Sequence, residues 1–182
     1  RRAIASDLHV NCVQEYKHLG GVISADMSLL PDAKQRDKSA MTTYGMIASR
    51  ILGYRSITVA RRVNLAFALV MSRLIYNVHT WPECTGRPRD ILNKTYMRVW
   101  RRVMHDPRYQ KTTWTDLQIR QLLGVDAFDN IVRRKRLMYF ARITTSDLPA
   151  LHALLQSRGP AGEQQPWVRT IIADLARLKA FF

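Results

Sequence analysis

The side chains of this chain best placed to act on a partner are cations on helical patterns. Lys34, Lys38, Arg61, Arg62, Arg98, Arg101 and Arg102 fall off the apolar stripes of three segments, so each is expected to face outward, toward phosphate or toward solvent and a local acid. Cations spaced along rigid helices neutralise a polyanion backbone without reading its sequence. Other chemistries lack their residues. The 14 acids include no adjacent pair. His9, His18, His79, His105 and His152 show neither H-x-x-x-H nor H-E-x-x-H spacing, and Cys12 and Cys84 lie outside any C-x-x-C pattern. Neither a zinc site nor a disulfide framework is indicated, no metal is expected in this segment, and a reducing compartment follows.

Composition points the same way. The 182 residues are 47% hydrophobic and 24% charged, which suits one ordinary domain or two small ones and argues against wholesale disorder. Lys and Arg number 29, giving a net charge of +15 and a pI near 10.6. The surplus is concentrated in residues 61–110, where ten basic residues face three acids interleaved with Leu, Ile, Val and Trp. The charge therefore sits on folded elements, and a polyanionic partner is favoured over mere solvation. The longest apolar run, Val63 to Met71, is broken by Asn64 and flanked by Arg62 and Arg73, so no membrane span is expected. The chain opens on Arg1 without a signal-peptide core, which suggests a fragment or processed product.

These cations need elements to carry them. Residues 8–13 alternate, with Leu8, Val10 and Cys12 on one face, and a second extended run spans Tyr16 to Ser24, suggesting a short antiparallel pair; Gly20-Gly21 marks a bulge or a close backbone approach. A helix is predicted from Pro31 through Leu52 with Gly53 as its stop, and another from a Ser56 cap to Tyr76, the latter as the most buried. Further helices are predicted over 89–104, over 115–123 closed by Gly124, and over 127–144 capped by Asp126, with Arg133, Arg134, Lys135 and Arg136 on its outer surface. Ser146-Asp147 caps a short helix to Gln156, and 167–182 forms the last. Trp81, Trp100, Trp114 and Trp167 read as core or interface residues. The fold class is mainly α: a helical bundle preceded by a short antiparallel β-hairpin.

Four stretches in order carry a resemblance. Tyr16-Lys17-His18-Leu19-Gly20-Gly21-Val22-Ile23-Ser24 is similar to the Y-K-Y-L-G-x-x-I segment that closes the palm of reverse transcriptases from non-LTR (LINE-type) retrotransposons. Arg73 to Trp81 resembles that family's P-x-L-x-Y-G-x-E-x-W stretch, Met97 to Val103 its R-x-x-R helix, and Arg133 to Arg142 its later arginine-rich signature. The likeness covers roughly residues 8–145. Ser72 stands where the family has proline, Asn77 where it has glycine, and Phe140-Ala141 where it has a Gly-His pair.

The resemblance implies three parts: residues 1–25 as the end of a palm with its primer grip, 28–145 as a thumb-like bundle, and 146–182 as connector helices. Tyr16, Lys17, Leu19 and Gly20 then match the primer grip, where glycine admits close approach of a strand and an aromatic packs on a ribose or base. The bundle would track an RNA–DNA hybrid through its phosphates. Polymerisation of this kind needs two Mg2+ ions on clustered carboxylates. With no such acids here, the segment is expected to bind no cofactor and to lack catalysis of its own, the metals belonging to a palm outside it. The implied setting is intracellular, and nuclear for an active element. Two other classes remain open: a helix-turn-helix module built on the two helices around Gly124, and a non-catalytic scaffold subunit, derived from a retroelement, embedded in a larger RNA or protein assembly.

Overall fold

A computed structural model describes residues 13–104 and 114–179, and within them the chain is mainly helical after a short antiparallel hairpin. Strand β1 (Glu15–His18) pairs with β2 (Gly21–Ser24), with Glu15 opposite Ser24 and His18 opposite Gly21. The extended run predicted over Tyr16 to Ser24 thus folds on itself; Leu8, Val10 and Cys12, expected on the other strand of the pair, lie outside the described residues. Turn chemistry decides this. Leu19 and Gly20 take φ of +46° and +84°, the two left-handed residues of a tight hairpin turn. Gly20 supplies that conformation freely, whereas Leu19 adopts it against its own Cβ.

Helix α1 (Leu30–Ile47) carries Pro31 in its first turn, as expected, and runs on into a π-helical turn, Ala48–Leu52. Gly53 does end it, although with an ordinary φ of −97°. Its role is space. A Cβ there would stand 2.7 Å from the Arg102 guanidinium, which donates to the Ala48 carbonyl at 2.8 Å.

Helix α2 (Val59–Ala66) is capped by Thr58, whose hydroxyl accepts the Arg61 N–H, and not by Ser56. It continues through a second π turn (Phe67–Met71) into α3 (Ser72–Leu74). The chain then turns on Asn77 at φ +54°, so the position where the resembling family has glycine does adopt a glycine-like conformation. A single 3-10 turn (Val78–Thr80) leads to Trp81.

Helix α4 (Gly86–Val103) follows, then α5 (Asp116–Leu123), which opens on a capping box formed by Thr115 and Gln118 and closes on left-handed Gly124. Helix α6 (Phe128–Thr144) has no side-chain cap: the carboxylate of Asp126, expected to cap it, is drawn off by Arg134 at 3.2 Å. Helix α7 (Pro149–Gln156) likewise starts on a proline without help from Ser146 or Asp147, and α8 (Pro166–Lys179) ends the described chain.

Three contacts fix the central pairing. Asp37 accepts from Thr95, Met41 Sδ faces Arg98 at 3.9 Å, and Ala48 accepts from Arg102. Both sequence numbers rise together, so α1 and α4 run side by side in the same direction, with α2 and α3 as the return path between them. Helix α4 contributes Leu92, Tyr96, Val99, Trp100 and Val103 to the core and is the most buried helix, in place of the 56–76 segment the sequence suggested. The reason is its aromatic content: Trp100 packs against Phe67 and Tyr96, and Tyr96 against Phe128, joining α4, the second π turn and α6 through one cluster. Of the four tryptophans, Trp81 and Trp100 are buried, Trp114 packs on the core, and Trp167 donates to the His79 carbonyl at 2.7 Å, pinning α8 to the 3-10 turn.

Candidate nucleic-acid interface

The hairpin is held from beneath by a single buried carboxylate. Asp32, in the first turn of α1, accepts the Val22 N–H at 3.0 Å, the Trp81 indole N–H at 2.9 Å, and two hydrogen bonds from Arg36 at 3.0 and 2.7 Å. Arg36 in turn lies over the Trp81 ring, 4.8 Å from its centroid. Strand β2 is thereby fastened to α1, and β1 is left exposed on both faces.

Tyr16 and His18 stack on one face of β1, ring centroids 5.9 Å apart. On the other side, Lys17, Leu19 and Gly20 line a cleft of about 570 Å3 with Arg36, Arg73 and Tyr76. Leu19 is 79% exposed at the tip. Tyr16, Lys17, Leu19 and Gly20, the positions matched by resemblance, therefore sit together on the outer strand and turn, and Arg36 and Arg73 join them as residues the sequence reading missed. Arg73 falls inside a quoted motif, and its exposure was open to inference; the placement of Arg36 depends on Asp32 and Trp81 and was not.

The helical cations divide into two groups. Lys34 and Lys38 are exposed on the α1 stripe that leads to Met41, and Arg98 and Arg101 are exposed on α4. Because α1 and α4 run in the same direction with Met41 against Arg98, these four lie along one seam. Lys94, one turn before Arg98, extends the row and completes a cleft with Arg98, Arg101 and Asp116. Asp116 pairs with Arg101, an exposed contact that leaves the guanidinium half-open and adds little stability. Arg61 is also exposed, on α2, and no described contact brings it to the seam.

Two predicted positions are corrected. Arg62 is 1% exposed and donates to the Leu52 carbonyl at 3.1 Å, which closes the π turn and keeps the guanidinium away from solvent. Arg102 is half-buried over Gly53 and holds Ala48. Both lie off the apolar stripes, but both are captured by backbone carbonyls of the π turn, Arg62 by that of Leu52 and Arg102 by that of Ala48, which also accepts the Gly53 N–H at 2.9 Å. The outer surface predicted for α6 is corrected likewise. Arg136 is 3% exposed against Asp174 and Arg133 reaches the same acid, whereas Arg134 is exposed as expected and meets Asp126 in a surface pair.

The Ser24 hydroxyl and the Ser28 N–H hold Asp26, beside the hairpin, below the usual carboxylate range. Burial pushes the Cys84 thiol up to about 11 and the Tyr96 phenol up to about 12. Neither group is poised to act as a nucleophile or base near neutral pH. Among the described residues, no three of His, Cys, Asp and Glu gather as a metal-binding group, and no helix is long and apolar enough to cross a membrane. What the arrangement offers is cation contact along a seam beside an exposed turn, which is binding chemistry. No family model, curated protein or solved structure matches the chain.

Proposed function

We propose that this chain grips the RNA–DNA template-primer duplex of a reverse transcriptase of the non-LTR type, through sequence-independent phosphate contacts and without catalytic acids of its own. The observation that supports this most is the row of Lys34, Lys38, Lys94, Arg98 and Arg101 along two helices that run in the same direction. Cations repeating at one-turn intervals on rigid supports meet successive phosphates of a helical duplex with little ordering cost. The hairpin adds an exposed left-handed turn and a stacked aromatic pair at one end of α1, a suitable place for a strand terminus. Mg2+ would be supplied by the carboxylates of a separate palm.

Binding of a labelled RNA–DNA hybrid, measured across a salt series, tests the reading. Alanine at Lys94 and Arg98 together is expected to weaken binding and to lower the slope of log K against log salt by about two, one per phosphate contact. Unchanged slope and affinity would remove the seam from the interface. A helix-turn-helix mode has less support, since Arg133 and Arg136 of the second helix are engaged by Asp174. A scaffold role would instead be favoured by stable association with other proteins together with no affinity for the hybrid.

A further inference from the structure

We infer that the open cavity lined by the 82–85 loop, α6 and α8 is a binding site for a phosphate-bearing ligand of nucleotide size. It shares no lining residue with the α1/α4 seam or the hairpin cleft, and it does not depend on the duplex reading. Its volume is about 670 Å3, within the range usual for small-molecule sites.

The charge inventory of its walls is unbalanced. Five arginines, Arg89, Arg133, Arg136, Arg169 and Arg177, line it against three acids, Glu83, Asp129 and Asp174. Asp129 is consumed by Arg89, which holds it through two hydrogen bonds at 2.9 and 2.6 Å. Asp174, 4% exposed, must serve two guanidiniums, Arg136 at 2.5 Å and Arg133 at 3.4 Å. One carboxylate cannot neutralise both, so positive charge is left over where Arg133, a third exposed, meets the open side of the cleft. Arg136 bears the mark of that deficit: its Nε is buried and has no hydrogen-bond partner among the described residues. Arg169 and Arg177 stand two turns apart on the cavity face of α8, exposed, with no acid paired to them among the described residues.

Helix α4 strengthens the same preference. It begins at this cavity, and its N-cap residue Thr85 makes no side-chain hydrogen bond to the first turn. Thr85 and Arg89, on either side of that first turn, both line the space. Phe128, Val132 and Ala173 provide an apolar floor on which a base or sugar can rest. Guanidiniums at the rim and an apolar floor fit an organic phosphate better than a bare inorganic ion.

Calorimetric titration of the purified chain at low salt with AMP, inorganic phosphate and adenosine tests this. AMP is expected to bind at least tenfold more tightly than either fragment. Arg169→Ala/Arg177→Ala should weaken AMP at least tenfold, whereas Arg50→Ala/Arg55→Ala, which removes equal charge from exposed positions elsewhere, should change it less than twofold. AMP binding no tighter than inorganic phosphate, or equal losses in the two double variants, would overturn the site. A second readout needs no arginine variant. In a Cys12→Ser chain, AMP should slow alkylation of Cys84, which lines the cavity; an unaltered rate at saturating AMP would count equally against the proposal.

Discussion

Asp32 and Trp81, 49 residues apart in sequence, meet in a 2.9 Å hydrogen bond in which the indole N–H donates to a buried carboxylate. That contact makes the start of α1 the anchor of the hairpin, because the same carboxylate accepts the Val22 N–H and pairs with Arg36. Replacing Asp32 with Ala leaves Arg36 buried without its anion and strands two further donors. The variant is expected to lose about 3–5 kcal/mol of stability in urea denaturation, with early loss of amide protection at Val22. A loss below about 1 kcal/mol would show that the carboxylate is not the anchor.

Neighbouring arginines on α2 should behave oppositely. Arg62→Ala removes the donor to the Leu52 carbonyl and leaves a void in the core, at a cost of about 2–4 kcal/mol. Arg61→Ala, on the exposed side, should alter stability by no more than about 0.5 kcal/mol. Thermal and urea melts of the two single variants settle the contrast.

At Asn77, the left-handed φ of +54° discriminates among substitutions by backbone energy alone. Asn77→Gly should hold stability within about 1 kcal/mol, whereas Asn77→Val, β-branched, should lose about 1–2 kcal/mol. Equal effects of the two would mean that the turn relaxes to a different conformation.

His79 gives the fold a pH dependence of known sign. Burial first, then the nearby positive charges of Lys135, Arg142 and Arg36, hold its pKa below the ordinary 6.5. The unfolded chain then binds the proton more readily than the folded one, so the contribution of His79 is complete above about pH 6.5 and declines as pH falls toward its lowered folded value. Urea midpoints measured from pH 7.5 to 5 should fall less steeply in His79→Gln than in the parent. Parallel curves would refute the assignment.

Regular elements were legible because apolar spacing is local. The predicted 89–104, 115–123 and 127–144 segments match α4, α5 and α6 to within about three residues at either end, and the hairpin residues were named even though their pairing was not. The Ser56 and Asp126 caps were misplaced for a physical reason: Thr58 stands at the α2 boundary, and the Asp126 carboxylate is taken by Arg134. Arginine burial was not legible at all. Arg62 is claimed by a carbonyl ten residues earlier and Arg136 by an acid 38 residues later, partners that no helical period reveals. The seam was half visible: its four named cations came from the sequence, whereas the shared direction of α1 and α4, and with it the place of Lys94, came from contacts across the core.

The shared direction of α1 and α4 has a final electrical consequence. Two aligned peptide dipoles bring their negative poles to the same end of the bundle, where repulsion between the terminal carbonyls would grow unless cations stood beside them. Arg102 binds one of those carbonyls directly, and Arg50 and Arg101 occupy the closing turns of the two strands of backbone. Part of the +15 is thus internal ballast for the protein's own architecture, and the charge on offer to a visiting polyanion is smaller than the amino-acid inventory implies.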